Sequence, residues 1–278
     1  MTDQKLKLKD LLKKKKTIVL PGVFNAISAR MAESVGFEAV YLSGAGLSNG
    51  LLGKPDIGLL TLPEVAQQVR YISNCVKTPI LVDADTGFGG LRNVTRAVLE
   101  LEGAGASAMQ IEDQNTFKRC GHLPGKTLVD AQEMAQKIQT AVQTRGDKDF
   151  LIIARTDARS VLGLEEAIRR AKIYLKAGAD VIFPEALESR QEFKEFSSKV
   201  EAPLLANMTE FGKTPYISVQ EFHKLEYDLV IFPMTAFRVM MRSLEASFVE
   251  IKKKGSQKGL LPKMQTRKEL YDLINYQI

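Results

Sequence analysis

Eight short apolar runs recur along the chain, at 17–20, 39–42, 79–82, 106–111, 150–154, 180–183, 203–206 and 229–232. Between neighbouring runs the pattern switches to a helical period. Strands that are near-continuously apolar need cover on both faces, which points to a parallel sheet wrapped by helices. Eight of them favour a closed (β/α)8 barrel over an open sheet. Helix punctuation agrees. A helix from Ala26 closes at Gly36, Thr61 caps Leu62-Pro63-Glu64, and helices over 93–102 and 164–177 stop at Gly103 and Gly178. No linker or low-complexity tract interrupts the alternation, so 1–278 reads as one barrel domain. The stretch 236–278 exceeds a single closing helix: it reads as a helix to Lys254, a turn over 255–262 and another helix from Thr266. This C-terminal helical extension is expected to pack on a neighbouring subunit.

With 45% hydrophobic and 26% charged residues in 278, the chain has the means for a sizeable core. No run approaches the ~18 apolar residues of a membrane span. The net charge is +6, and seven lysines lie between Lys5 and Lys16. One reading of that run is contact with nucleic acid or an anionic membrane, as in a basic binding protein on a barrel scaffold. The other is a solvated first helix, with Leu6, Leu8, Leu11 and Leu12 packing inward. No aromatic side chain interleaves the lysines to stack on bases, so the second is preferred, with neither a nucleic acid nor a membrane as partner. The run holds no long apolar segment and no arginine, unlike a secretory or transit peptide, and a cytoplasmic protein is expected. Its two cysteines, Cys75 and Cys120, are then reduced thiols.

Parallel barrels do their chemistry where strands end. The ends here carry Asn25, Ser43, Asp83 with Asp85, Glu112, Arg155, Glu185 and Asn207. Any one of them is an ordinary polar strand end. Four carboxylates converging on one face, however, repel unless a cation neutralises them. Oxygen donors without a nearby histidine favour Mg²⁺ or Mn²⁺ over zinc. An arginine at a strand end suits a bidentate grip on a carboxylate, so, together with a metal, it implies a small, anionic, oxygen-rich substrate. Gly87-Phe88-Gly89-Gly90 matches neither a Walker A nor a dinucleotide fingerprint, which argues against nucleotides. Two insertions, 44–60 and 115–128, fall on the same face.

The second insertion holds Lys118-Arg119-Cys120-Gly121-His122. A lone cysteine is usually a small buried hydrophobe, and Cys75, read as part of a helix over 65–76, fits that. Cys120 instead sits in a polar loop among cations, where proton or nucleophile chemistry is favoured. Gly121 and Pro124-Gly125 allow the loop to act as a lid, with motion expected over 113–117. His223, beside Phe222, reads as structural.

At these residues the chain resembles the isocitrate lyase and phosphoenolpyruvate mutase superfamily, whose lid signature is the 118–122 pentapeptide. The likeness extends to Tyr41 through Ala45, Asp83 through Gly89, Ile111 through Gln114, Asn207 through Gly212 and Ala236 through Arg238. Within the superfamily it looks most like the branch that cleaves 2-methylisocitrate to pyruvate and succinate. The resemblance implies a Mg²⁺-dependent carbon–carbon lyase, with Asp83 and Asp85 at the metal, partly through water, and Glu112 behind them. It implies a small di- or tricarboxylate substrate, with contacts from Ser43, Gly44, Ala45, Cys120, Gly121, Arg155, Glu185, Asn207, Met208, Thr209, Arg238 and Arg267. Cys120 matches a general acid and Tyr41 a base or hydrogen-bond donor, with Lys118 and His122 alongside them in the catalytic set. Ala45 departs from the glycine of many relatives. The resemblance further implies a homotetramer, a dimer of helix-swapped dimers, with Arg267 reaching a site only once the tail has packed across. Isocitrate or dimethylmalate cleavage, oxaloacetate decarboxylation and phosphonate mutation are the alternatives, and the thiol-bearing lid favours the lyases.

Overall fold

All eight runs become strands in the structure, a computed structural model that describes residues 7–14, 16–115 and 118–276. They are β1 (Ile18–Val23), β2 (Val40–Leu42), β3 (Ile80–Asp83), β4 (Ala108–Glu112), β5 (Leu151–Thr156), β6 (Val181–Pro184), β7 (Leu205–Asn207) and β8 (Leu229–Phe232). They pair in parallel in the order β6-β5-β4-β3-β2-β1-β8-β7. The seam between β6 and β7 is narrowed by a parallel bridge from Ile182 to Leu204, where the Ile182 N–H donates to Pro203 O at 3.0 Å. The result is a nearly closed TIM-like barrel with helices between its strands. Strand β1 lies so close to the segment after β8 that a Cβ on Gly22 would stand 2.0 Å from Pro233 O.

Most strands run further towards their C-terminal ends than the apolar runs do. Glu112 still pairs with Arg155, and Asp83 with Gln110, in the parallel register. Hydropathy registers the side chain, whereas the ladder is made by the backbone, which goes on pairing after the side chains have turned polar. The chemistry-bearing residues are therefore held by sheet rather than by loop.

Side-chain parity decides which of them face the barrel axis. Leu20, Tyr41, Leu81, Ala108, Leu151 with Ile153, Val181 with Phe183, Leu205, and Leu229 with Ile231 form one buried cluster with at least one member from every strand. Val40, Val82, Met109 with Ile111, Ile152 with Ala154, Ile182, Ala206 and Val230 belong to the separate layer under the helices. Successive residues of a strand point to opposite faces. Ser43, Asp83, Gln110 with Glu112, Arg155, Glu185 and Asn207 therefore all point inward, two or four residues beyond an inner core residue. Met208, one step out of phase, packs in the outer layer.

The helix Leu8–Leu12 inserts Leu8 and Leu11, both 0% exposed, into the inner cluster. Its lysines point outward: Lys7 and Lys9 pair with Asp149 at 2.7 and 3.0 Å, and Lys14 pairs with Glu38 at 3.0 Å. Lys5, Leu6 and Lys15 lie outside the described residues. Asn25 caps the helix Ala26–Ser34, accepting from Ser28 N at 2.9 Å, so it belongs to that helix start rather than to the site. The helix Leu62–Ser73 ends before Cys75, whose thiol donates to Ile72 O at 3.2 Å just beyond it.

The first insertion folds into the helix Gly44–Leu47, running on into a π turn, Ser48–Leu52. The second is closed at its base by a bridge between Gln114 and Leu128 and by Asn115 N–H donating to Thr127 O at 2.9 Å. Of the segment expected to move, Thr116 and Phe117 lie outside the described residues. The extension comprises the helix Thr235–Lys254, a 3-10 turn Lys258–Lys263 and the helix Arg267–Leu273, capped by Thr266. Among the described residues, no helix is long and apolar enough to cross a membrane.

Candidate active site at the strand C-termini

A cavity of about 740 Å³ opens at the C-terminal end of the barrel, with Tyr41, Ser43, Asp83, Glu112, Arg155, Glu185 and Asn207 in its wall and Lys118 to His122 over it. One side is acidic. Asp83 accepts from Gly44 N, Asp85 N and Gln110 Nε2, each at 3.2 Å. Burial pushes the Asp85 carboxyl up to about 7; Lys118 pulls it down, and Asp83 and Asp56 raise it further. Burial likewise holds Glu112 well above the usual carboxylate range against the pull of Arg155 and Lys118. Its Oε1 is buried without a hydrogen-bond partner.

These features fit a divalent cation: crowded carboxylates that resist ionising, and an orphaned oxygen among them. Among the described residues, no three histidine, cysteine or carboxylate side chains form a ready cage. A divalent ion held here would draw on one or two carboxylates, with water completing its shell. Asp83 and Asp85 are the residues that would hold it, with Glu112 behind them and its Oε1 free to accept a hydrogen bond.

Lys118 approaches this acidic side from the loop, pairing with Asp85 and, at 2.7 Å, with Asp56 of the first insertion. Burial pulls its pKa down, but Asp85, Glu112 and Asp56 outweigh burial and keep it an ammonium. Tyr41 donates to Gln110 Oε1 at 3.0 Å. Burial, reinforced by Asp83, holds its phenol well above its ordinary range, a state suited to donating a hydrogen bond rather than to removing a proton.

The opposite side is built around Arg155. Asp157 holds it with two hydrogen bonds of 3.0 and 3.2 Å, Glu112 lies 3.3 Å away, and the guanidinium sits 5.3 Å from the centre of the Phe183 ring. Glu185 belongs here and not with the metal-side acids. Burial alone would raise its pKa, but Arg155, His122 and Lys126 outweigh it and bring it to about 2. Asn207 donates to Glu185 at 3.1 Å and keeps its own Oδ1 buried and unpartnered.

The loop presses directly onto this side. A Cβ on Gly121 would lie 2.5 Å from both Arg155 Nη2 and Glu185 Oε1, so only glycine fits beneath the loop tip. His122 Nε2 sits 3.1 Å from Glu185, while its Nδ1 accepts from Lys213 N at 3.1 Å. That pattern suits the neutral Nε2–H tautomer. Cys120 faces the cavity from the loop, reachable from its mouth. Burial raises its thiol pKa, the His122 backbone lowers it and Glu185 raises it again. The neighbouring cations do not make it a thiolate.

Several of the expected contacts lie elsewhere. Met208 is 4% exposed in the outer core and accepts from Ile217 N at 3.2 Å, outside the cavity wall. Gly44 serves Asp83. Arg267 is exposed on the last helix, away from the cavity of its own chain. Ala45, Thr209 and Arg238 do line the cavity; Arg238 lies 5.4 Å from the centre of the Phe211 ring. His223 is exposed at the far end of the barrel, its Nδ1 3.4 Å from Thr17 Oγ1. Gln110, Asp157 and Lys126 were not among the expected residues. A glutamine two residues before Glu112 in an apolar strand was the available signal for the first.

A barrel whose inward-facing acids, clamping arginine and thiol-bearing loop meet at the strand C-termini is an enzyme architecture of the phosphoenolpyruvate mutase kind. A phosphoenolpyruvate phosphomutase family profile matches residues 8–252, and the chain belongs to that family. The family works with a divalent metal ion. The chain is 55% identical to the 2-methylisocitrate lyase of Aeropyrum pernix, over 98% of this chain and 87% of that one. Its fold matches that of a 2,3-dimethylmalate lyase with a TM-score of 0.91 at 37% identity, covering 96% of this chain and 89% of the other. A phosphonopyruvate hydrolase solved with oxalate and Mg²⁺ matches with a TM-score of 0.86 at 29% identity, covering 96% and 93%.

Proposed function

We propose that the protein is a Mg²⁺-dependent lyase that cleaves (2S,3R)-2-methylisocitrate to pyruvate and succinate, in the cytoplasm, as a step of propionate catabolism. The observation that carries this reading is a thiol, Cys120, brought by a glycine-fitted loop into the same cavity as an acidic, metal-fitting wall, with its pKa raised. Cleavage needs negative charge stabilised first on the substrate's hydroxyl oxygen, once its proton has been lost to a base, and then on a carbon of the other half as the first half becomes a ketone. The two walls answer those two needs separately. The bound ion supplies Lewis-acid stabilisation of charge on substrate oxygen.

The chain's own groups do the rest. Arg155, kept in register by Asp157, binds a substrate carboxylate. Ser43 and the amide of Ala45 bind the keto-acid half at the start of the helix Gly44–Leu47. Tyr41, oriented by Gln110, donates a hydrogen bond. Asn207 offers its unpartnered Oδ1 to a substrate hydroxyl. Cys120 gives its Sγ proton to the carbanionic carbon of the succinate half, as a general acid. Lys118 and His122 hold the loop over the acids and over Glu185. Thr209 and Arg238 complete the wall, and Arg267 joins it from a partner's tail in a homotetramer of helix-swapped dimers.

The test is a product assay with 2-methylisocitrate, isocitrate and oxaloacetate in parallel, with and without Mg²⁺. Pyruvate plus succinate from the first acid alone, and only with the metal, is the expected result. Faster turnover of either of the others would reassign the substrate.

A further inference from the structure

Lys126 carries a buried charge that the proposed reaction does not use. It lies on the outgoing limb of the 115–128 loop and is 6% exposed. Its ammonium donates to Asp157 Oδ1 at 3.0 Å and to the carbonyl of Gly121. A buried ammonium is tolerated only when paired and hydrogen-bonded, and both of its partners here are informative. Gly121 is the residue between Cys120 and His122 whose missing side chain lets the loop rest on Arg155 and Glu185. Asp157 is the carboxylate that also receives Nε and Nη2 of Arg155.

Asp157 is fixed in turn. Its backbone N–H donates to Asp113 Oδ1 at 2.8 Å, and Asp113 is anchored by Arg170 at 3.1 Å and by Tyr174 at 2.7 Å from the helix Leu164–Lys176. A continuous line of bonds thus runs from an outer helix through the barrel wall to the loop tip. We infer that Lys126 is a positioning residue that seats the Cys120 loop, and that Asp157 couples this seat to the Arg155 clamp. One carboxylate serves both cations. Without Lys126, Asp157 keeps Arg155 as its cation but loses the second, and the Gly121 carbonyl loses the bond that joins it to Asp157 and the barrel. With Lys126 in place, the thiol is delivered to a clamp whose charge is partly released for an incoming carboxylate.

The inference rests on the proposed reaction only for its kinetic arm. The test compares the full-length protein, in Mg²⁺ buffer, with Lys126→Met and Lys126→Arg by hydrogen exchange and by steady-state kinetics. In Lys126→Met, peptides covering 118–126 are expected to exchange at least ~10-fold faster, with β4 and β5 peptides unchanged, and Lys126→Arg should stay within about threefold of wild type. The same Met variant is expected to lose about 100-fold in kcat, with KM for 2-methylisocitrate within about threefold. Unchanged exchange in the loop overturns the proposal. So does acceleration throughout the barrel with a lowered Tm, which would make Lys126 a fold-holding residue only, and so does a raised KM with normal kcat. If Lys126→Met does not fold, Lys126→Gln is put to the same two readouts. Should wild type turn over none of the three acids, the proposed reaction falls while the exchange arm still decides the role of Lys126.

Discussion

Asp85 and Cys120 are both held above their ordinary pKa, the carboxyl by deep burial and the thiol by partial enclosure at the cavity mouth, where the residue stays exposed. For the thiol, the neutral form is favoured, so it remains an acid as pH rises past neutrality. Alkylation of Cys120 is therefore expected to show a pH midpoint above the ~8.5 of a free thiol. A midpoint below that value would return the residue to thiolate chemistry. Cys120→Ser should lower kcat by about 10²–10⁴ with substrate affinity intact, the usual weight of a lost general acid. Near-normal turnover would remove the assignment.

For Asp85 the folded carboxyl sits at about 7, above the unfolded value. Its contribution to stability is fully present below the unfolded value and is lost as pH rises through about 7, because the unfolded chain then ionises more readily than the folded one. A divalent ion reverses that loss by favouring the carboxylate. The rise in Tm on adding Mg²⁺ is thus expected to be larger at pH 8 than at pH 6; an equal rise at both would place the ion away from Asp85. This behaviour was only half legible in the sequence. Asp83, Asp85 and Glu112 could be read as one cluster, but Lys118 as the cation already among them depends on how the loop folds back. Asp56, its second partner, comes from an insertion that has no periodic signal at all.

At the scale of elements, β4 and the loop after it divide the work. The strand fixes Gln110 and Glu112 by parity, while the loop brings Lys118, Cys120 and Gly121 in from outside the ladder. Strands were easy to find because each is a continuous apolar run, and parity then sorts inward residues from outward ones. That rule would have excluded Met208, one residue after the inward Asn207. The loop was harder. Its motif marks Cys120, but Lys126 shows no periodicity, and its partner Asp157 lies 31 residues on. Burial of a charge leaves no trace in local composition. The fit at the loop tip gives a sharp expectation. In Gly121→Ala the new methyl meets Arg155 and Glu185, and the loop must lift. Turnover should fall by about 100-fold, while Tm, set by the barrel, changes by less than about 2 °C. An active Gly121→Ala enzyme would show that the loop need not rest on the clamp.

On the scale of the whole molecule, the extension is the part that the barrel does not explain. Of the 20 residues of the helix Thr235–Lys254, Phe237 is the one that is buried. Val239 and Phe248 stand 63% and 65% exposed, with Met241, Val249 and Ile251 also open to solvent. A run of exposed large apolar side chains along one helix marks an interaction surface. Arg267 lies further along the same extension, exposed and outside the wall of its own chain's cavity. Both facts are met if each chain lends this helix to a neighbour and the tail then reaches a neighbouring site. Wild type is expected to sediment at about four times the 30.8 kDa chain mass. Phe248→Asp places a charge in the apolar face and should shift the protein to smaller species. Arg267→Ala should leave the mass unchanged and raise KM. A wild-type monomer with full activity would sink the shared-helix reading, and an unchanged KM in Arg267→Ala would confine the tail to assembly alone.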